Sequence, residues 1–281
     1  MDEIVAQEAA GVGHTVPAAA YPFGALQPGP DTCAAADAYK GDWAHCGGYQ
    51  YGDEYVWRFS QYHVSGMGVP VGGDFGFLPY AGGGESAPSS AKMQKDTEKA
   101  EPGYYSVRLS DGTLCEATAS ARCAAWRLTF QKGRSANLLL EPGWGINGID
   151  VGGVFGRVVS AAVTRFRSPT RICGYVRKFD YVDYYFGFEA HFSSPVVGKR
   201  ILRESDGRDG ELWALEFGDV PGGVLEVRLS LSVDSEAGAA KNLASEMPEF
   251  DFDGTRRRAS AAWSEWLGRV ALDPSTPSDT A

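Results

Sequence analysis

The sequence has no long apolar run and little positive charge. A membrane-spanning helix needs about eighteen consecutive apolar residues, and no run in this sequence comes near that length, so no span is predicted. Only 26 Lys and Arg face 36 Asp and Glu, which gives a net charge of −10, and the one basic cluster covers residues 256–258. Because this charge would repel nucleic-acid phosphates, we expect no nucleic-acid partner.

A secretory leader is also not visible. Residues 1–20 begin with acidic side chains and lack a basic segment followed by an apolar one. The protein is therefore either cytosolic or has its leader outside this chain, and the compartment stays open.

The five cysteines form no CxxC pair and no metal-ligand spacing. Two interpretations remain open for them. They are five reduced, mostly buried thiols, or they form up to two disulfides, in which case Cys33 and Cys46 are the first pair to test.

Familiar catalytic motifs are missing as well. No G-x-S-x-G turn accompanies the four histidines, which excludes that kind of nucleophile. The Gly-rich residues 11–14 neither follow a strand nor open a helix, so they do not predict a phosphate loop. The acidic turns at 206–210 and 251–253 lack a run of calcium ligands and indicate a hairpin loop and a helix cap.

What the sequence does contain is a long series of strands. Between residues 104 and 232, apolar and polar residues alternate with the period of two that is typical of half-buried strands. The predicted strands cover residues 104–110, 124–130, 137–141, 156–166, 171–179, 183–192, 211–217 and 224–232. Because no helix-period segment lies between them, we predict a mainly β fold, a large antiparallel β-sandwich over residues 1–233.

Helical periodicity appears only near the C-terminal end. One helix is predicted to start at Ser235, and a second over residues 252–270, capped by Asp251 or Asp253. The second helix has one face formed by Ala259, Trp263, Trp266 and Val270. Residues 80–103 are predicted to form a flexible surface loop or a lid, and residues 272–281 a flexible tail.

Residues 46–79 combine aromatic rings, acidic side chains, a histidine and glycines, a mixture that suits sugar recognition. Trp43 and Tyr49 lie among Gly, Asp and His, which is typical of an exposed aromatic platform. His63 is either part of such a site or a satisfied histidine bonded to a neighbouring strand. No spacing among the nearby acids assigns general acid and general base roles.

The segments "WAHCGGYQYGDE" (43–54), "FSQYHVSGMG" (59–68) and "GDFGFLP" (73–79) resemble the N-terminal domain of the family 92 glycoside hydrolases, the calcium-dependent exo-α-mannosidases. Further segments at 13–32, 99–109, 174–178 and 236–270 fit the same domain in the same order. The resemblance therefore covers residues 11–270, nearly the whole chain.

The resemblance implies a sandwich of the supersandwich type and a helical linker over residues 234–271 that leads to an (α/α) barrel, which we expect to be absent from this chain. In the family, the barrel supplies the general acid, the general base and most ligands of the calcium cofactor, and hydrolysis inverts the anomeric centre. We therefore expect no catalytic residue here. The implied partners are mannose-containing glycans and a catalytic barrel in cis or in trans, and the implied location is secreted or periplasmic. The implied sugar contacts are Trp43, Asp53, His63, Ser65 and Asp74.

The chain departs from the family pattern at Gln61 and Met67, where the family has His and Thr. The glycan-binding half of an α-mannosidase is thus one of three functions that remain open, together with a stand-alone carbohydrate-binding module and an inactive truncated relic. The packing of Trp263 and Trp266 discriminates among them. Rings packed on the sandwich indicate a self-sufficient chain, and protruding rings indicate a missing partner domain.

Overall fold

The structure, a computed structural model, describes residues 14–34, 45–64, 66, 71–82, 86–146, 157–180 and 182–271. Its strands are β1 (Gly29–Cys33), β2 (Tyr55–Ser60), β3 (Tyr62–His63), β4 (Gly72–Gly73), β5 (Gly76–Ala81), β6 (Ala91–Glu101), β7 (Tyr104–Leu109), β8 (Leu114–Ala119), β9 (Cys123–Thr129), β10 (Ala136–Glu141), β11 (Val158–Ser168), β12 (Arg171–Asp180), β13 (Val182–Phe192), β14 (Gly198–Arg203), β15 (Leu212–Gly218) and β16 (Val224–Ser232). The helices are α1 (Glu236–Glu246) and α2 (Phe252–Leu267).

Fourteen of these strands form one antiparallel sheet in the order β11-β12-β13-β16-β9-β8-β7-β6-β2-β5-β10-β15-β14, with β1 paired to β2. Strands β3 and β4 form a separate small pair. The pairing within the large sheet is short between β6 and β2, where only Tyr55–Lys92 and Val56–Ala91 pair. The halves on either side of this point face each other, so the predicted mainly β sandwich is confirmed.

The interior between the two halves is apolar and aromatic. Phe59 of β2 and Phe77 of β5 each lie 5.1 Å from the ring of Trp126 on β9. Phe192 of β13 meets Phe217 of β15 at the same separation. Each such ring is buried because strand alternation turns it inward, and each contributes about 1.5–3 kcal/mol of hydrophobic stabilisation.

Both predicted helices are present, and their caps are clear. The Ser235 side chain accepts a hydrogen bond from the backbone of Gly238, and the Asp251 side chain accepts one from Gly254. Asp251 is therefore the cap of α2. The helices lie against the sandwich through a second apolar cluster made of Tyr104, Cys123, Ala125, Leu243, Met247 and Phe252. Neither helix has the length and hydropathy needed to cross a bilayer, over the part of the chain that is described.

The two tryptophans of α2 behave differently. The Trp263 indole donates to the carbonyl oxygen of Ala20 at 2.7 Å, so this side chain packs on the sandwich. Trp266 is 40% exposed, and it is followed by Leu267 at 57% and Val270 at 73%. The α2 face is thus half packed and half exposed, and it fits neither of the two outcomes alone.

The prediction of a loop over residues 80–103 is wrong, because residues 91–101 form β6. This strand pairs with β7, with a shift in register between Gln94 and Lys99. Only Met93 is buried along it. Most of its charged side chains are exposed, and Glu98 is bonded to Tyr49 and Tyr105, so the strand has no apolar face that its sequence could reveal. Strands β8 and β14 were likewise not predicted, and the tail at 272–281 lies outside the described residues.

All five cysteines are buried thiols, which confirms the reduced interpretation.

Candidate functional site

A left-handed turn connects β4 to β5. Gly72, Gly73, Asp74 and Phe75 have φ angles of 92°, 93°, 55° and 47°. A side chain at Gly73 would also collide with the backbone of Gly145, because its Cβ would lie 2.9 Å from that Cα. For a bulky residue such as Phe75, a positive φ is strained, so the surrounding structure must hold this turn in place.

Hydrogen bonds from two other segments hold the turn. The backbone amide of Gln61 donates to the carbonyls of Gly73 and Asp74, both at 3.0 Å. The Asp74 amide donates to the carbonyl of Trp144 at 3.2 Å, and the Phe75 amide to that of Pro142 at 3.0 Å. The turn is therefore fixed between the end of β2 and the loop after β10.

The carboxylate of Asp74 is held by side chains from distant strands. The Lys178 ammonium lies 2.5 Å from Oδ1, and the Tyr184 hydroxyl lies 3.0 Å from both oxygens. Lys178 is completely buried, although it belongs to a strand with two exposed neighbours, Arg177 and Phe179. A buried ammonium group requires such a partner, because burying an unpaired charge destabilises the fold far more than burying a paired one.

Asp74 and Tyr184 line an open groove of about 720 Å³. The other lining residues are mostly apolar and include Ala25, Leu26, Tyr62, Val64, Val71, Gly72, Val182, Phe186, Leu231 and Val233, with Arg122, Ser232 and Asn242 as further polar members. Such a groove, apolar with a few fixed polar groups, is the usual form of a small-ligand site.

His63 lies beneath this region and is fully hydrogen-bonded. Its Nδ1 lies 2.7 Å from the carbonyl of Gln27, and its Nε2 lies 2.9 Å from Oδ1 of Asp31. Since the carbonyl only accepts, Nδ1 carries a proton. The other Asp31 oxygen accepts the indole N–H of Trp144 at 2.5 Å. His63 thus occupies the position of a satisfied histidine bonded to the neighbouring strand β1.

Asp53 is buried next to β1. One of its oxygens, Oδ2, accepts the hydroxyl of Thr32 at 2.7 Å and lies 2.8 Å from Nε2 of His45. Because Asp31 and Thr32 are consecutive residues of β1, this strand connects the surroundings of His63 to those of Asp53.

The aromatic residues near Asp53 divide into a half-buried and an exposed ring. Tyr49 donates to Glu98 at 3.0 Å, and burial together with this carboxylate raises the pKa of Tyr49 well above 10. Its hydroxyl therefore remains a donor. Tyr51 is 73% exposed, and the Lys95 ammonium lies 5.1 Å from its ring centre. Among the described rings of this motif, the exposed platform is thus Tyr51 rather than Tyr49.

A buried charged cluster lies next to Trp144, and sequence reasoning missed it. The Glu141 carboxylate accepts hydrogen bonds from the guanidinium groups of Arg58 at 2.8 Å and Arg203 at 2.6 Å. Burial alone would raise the pKa of Glu141, but the guanidinium of Arg58 and two further arginines outweigh it and lower the pKa from 4.5 to about 2. The ring of Trp144 lies 5.1 Å from the Arg58 guanidinium and 5.6 Å from that of Arg157.

One signal for the missed lysine does exist in the sequence. In β12, Lys178 falls two residues after Val176 and six after Ile172, both fully buried, so the period of two places it on the inward face. A charged residue at an inward position indicates a buried partner of opposite charge.

The structure therefore brings Asp74, His63 and Asp53 into one region through Trp144 and β1, with only Asp74 facing the groove. Trp43 and Ser65 lie outside the described residues. The role of all five as sugar contacts stays a prediction.

The residues near the groove do not fit a calcium ion. Over the described parts of the chain, no group of three or more His, Cys, Asp or Glu side chains is arranged to hold a metal. The carboxylates of Asp31, Asp53 and Asp74 are each engaged by protein donors. A calcium site would need ligands from elsewhere.

Comparison with known proteins assigns the domain. Residues 5–232 match the model of the glycosyl hydrolase family 92 N-terminal domain. A family GH92 α-mannosidase from Bacteroides thetaiotaomicron, solved with mannoimidazole, is 25% identical with a TM-score of 0.80, over 93% of this chain and 36% of that one. A family GH92 inverting mannosidase from the same species shares the fold, with 23% identity and a TM-score of 0.73, over 93% of this chain and 34% of that one.

A curated relative has a similar extent. An uncharacterized secreted glycosidase from Arthroderma benhamiae is 26% identical over 95% of this chain and 38% of its own length. The chain thus spans little more than a third of the relatives that it matches. Because the family model covers most of the chain, the protein belongs to glycoside hydrolase family 92 and carries the N-terminal domain of that family.

Proposed function

We propose that this domain forms one wall of the sugar-binding site of an α-mannosidase that hydrolyses terminal α-mannosidic bonds. The observation that carries the proposal is the Asp74 carboxylate, which a strained turn presents to an aromatic and apolar groove. A carboxylate fixed beside the Tyr184 ring can accept sugar hydroxyls while the ring covers an apolar sugar face. The similarity to a mannosidase solved with mannoimidazole supports mannose as the sugar.

The chemistry of bond cleavage would belong to a second domain. Glycoside hydrolysis needs two carboxyl groups on opposite sides of the scissile bond, and the described part of the groove has Asp74 as its only acid. An (α/α) barrel, in cis or in trans, would supply the acid, the base and the calcium ligands, and the reaction would invert the anomeric centre. Calcium, when bound there, would help to distort the mannose ring.

Within this domain, the proposed sugar contacts have different requirements. Asp74 lines the groove, and Trp43 and Ser65 belong to the matched motifs at 43–54 and 59–68, which precede it in the sequence. His63 and Asp53 are buried, so each would have to exchange a present hydrogen-bond partner for a sugar hydroxyl.

The test is calorimetric titration of the purified chain with mannose and α-mannobiosides, with and without calcium. Trp43→Ala and Asp74→Asn should abolish or strongly weaken the heat, because each removes a direct contact. Asp219→Asn, an exposed acid that does not line the groove, serves as the control and should bind like the wild type.

The outcomes also separate the alternative functions. Tight binding by the chain alone would favour a stand-alone carbohydrate-binding module. Absence of heat at millimolar ligand would contradict sugar binding by this domain alone. A catalytic barrel from a family 92 relative, added in the same titration, would then distinguish an incomplete site from an inactive relic.

A further inference from the structure

We infer that Lys178 positions Asp74 for sugar binding: its buried ammonium group holds turn 72–75 in place and leaves one acceptor of the Asp74 carboxylate directed to the groove. This inference rests on the proposed function, since it explains how one wall of the sugar site keeps its shape.

Stability alone does not account for this lysine. Lysine is among the residues least often fully buried, and a buried ion pair is often no more stabilising than apolar side chains of the same volume. An apolar residue would suit the inward face of β12, where Ile172 and Val176 already lie. The presence of an ammonium group at Lys178 therefore points to a requirement for its hydrogen bonds.

Those hydrogen bonds join the two segments that shape the site. An ammonium group has three N–H donors, and Lys178 has a partner for each. It lies 2.5 Å from Oδ1 of Asp74, and it donates to the carbonyls of Trp144 at 3.0 Å and Gly72 at 3.4 Å. One side chain thus fixes both ends of the turn against the loop after β10.

The turn requires such a restraint. Its positive φ angles at Asp74 and Phe75 cost free energy that glycine would not pay, and local strain of this kind persists only where neighbouring groups over-determine the backbone. Without Lys178, the Asp74 carboxylate would lose its charged partner, and the backbone would be free to relax.

The hydrogen-bond count leaves room for a ligand. A carboxylate has about four acceptor positions; in the described structure Lys178 occupies one on Oδ1, and the single O–H of Tyr184 is shared between Oδ1 and Oδ2. Oδ2 therefore keeps acceptor capacity, because the ammonium contact is on Oδ1. A sugar hydroxyl donating to it would form a charge-assisted hydrogen bond, which is stronger than a neutral one.

The experiment compares Lys178→Met, Tyr184→Phe and a control in two readouts, α-mannobioside titration and amide hydrogen exchange. The control is Arg228→Met, a cation on the same half of the sandwich that donates to the Met247 carbonyl and lies outside the groove. We expect Lys178→Met to weaken binding by about ten- to hundredfold, the effect of losing one charge-assisted hydrogen bond. The amides of Asp74 and Ile146, which bond across the turn, should exchange at least about tenfold faster, while those of β9 keep their protection.

Each result decides the inference. Unchanged binding by Lys178→Met, or the same loss in Arg228→Met, would overturn it, because the lysine would then be only structural. If the wild type binds no sugar, the proposed function fails for the chain alone. The positioning role is then tested by amide hydrogen exchange in Lys178→Met, where unaltered protection at Asp74 and Ile146 would refute it. If Lys178→Met does not fold, Tyr184→Phe removes a single hydroxyl and must weaken binding without a change in β9.

Discussion

Trp126 and Trp144 are both buried, and both donate their indole N–H, yet their surroundings are opposite in kind. Trp126 is packed by Phe59 and Phe77, and its partner is the neutral amide oxygen of Gln61 at 2.9 Å. The ring of Trp144 lies 5.1 Å from the guanidinium of Arg58 and 5.6 Å from that of Arg157, and its partner is the Asp31 carboxylate at 2.5 Å.

The difference shows what each region contributes. Apolar packing around Trp126 is non-directional and supplies the free energy that keeps the two halves of the sandwich together. Buried charges around Trp144 must first be desolvated, so they add little net stability but demand one geometry. That region is where the strained turn and the groove are found.

The largest effect is expected in the apolar region. Trp126→Ala should lower the free energy of unfolding by about 3–5 kcal/mol, because it removes a large side chain from a packed interior and leaves a cavity. Denaturant unfolding monitored by circular dichroism measures this loss. A loss below about 1 kcal/mol would show that the two halves do not depend on this ring.

The charged region should instead respond to pH. The pKa of Glu141 is lowered in the folded protein from 4.5 to about 2, so its stabilising contribution is complete above pH 4.5 and is lost as the pH falls toward 2. We expect a loss of about 3 kcal/mol from this group over that window.

Glu141→Gln isolates this effect. Other acids also have a lowered pKa, so the wild type and the variant must be compared in the same pH series of denaturant unfolding. The variant should be less stable at neutral pH and should show a shallower dependence below pH 4.5. Parallel curves for the two proteins would contradict the assignment.

A matched pair of substitutions compares the two tryptophans directly. Trp126→Phe and Trp144→Phe each remove one indole N–H while an aromatic ring is retained. Beyond the effect of the smaller ring, we expect the free energy of unfolding to fall by about 2 kcal/mol at Trp144, where a buried carboxylate loses a donor. At Trp126, the lost hydrogen bond to Gln61 should lower it by about 1 kcal/mol. Urea unfolding midpoints measure the two losses of stability, and Trp126→Leu and Trp144→Leu measure the part of each loss that comes from the change in side-chain volume. A larger remaining loss at Trp126 than at Trp144 would contradict the comparison.

A cap outside both regions should give the smallest change. Asp251→Ala removes the acceptor for the Gly254 amide at the start of α2 and should cost about 1 kcal/mol. Thermal unfolding measures it, and Asp251→Asn, which keeps an acceptor, should recover most of the loss. If alanine and asparagine behave alike, the cap does not stabilise the helix.

Local signals predicted much of this fold. The alternation over residues 183–192 predicts β13, and the spacing after Ser235 predicts α1, because side-chain period and cap chemistry depend on neighbours in sequence. Strand β6 was missed because its pairing with β7 comes from the backbone and leaves no apolar period. The matched motifs indicated Asp74 as a site residue, and the Gly-Gly-Asp sequence predicts a turn that leads back into a strand, but no pattern predicts the positive φ angle of Phe75.

The sequence by itself determined the strand pattern, the helix caps and the family of this protein, since each depends on residue types at short spacing. Only the tertiary structure decided which charges meet. Lys178 and the turn at Gly72 are 106 positions apart, and Arg58 and Glu141 are 83 apart. Partners at such separations are chosen by sheet order and register, because a buried charge is tolerated only where the folded chain supplies its counterpart.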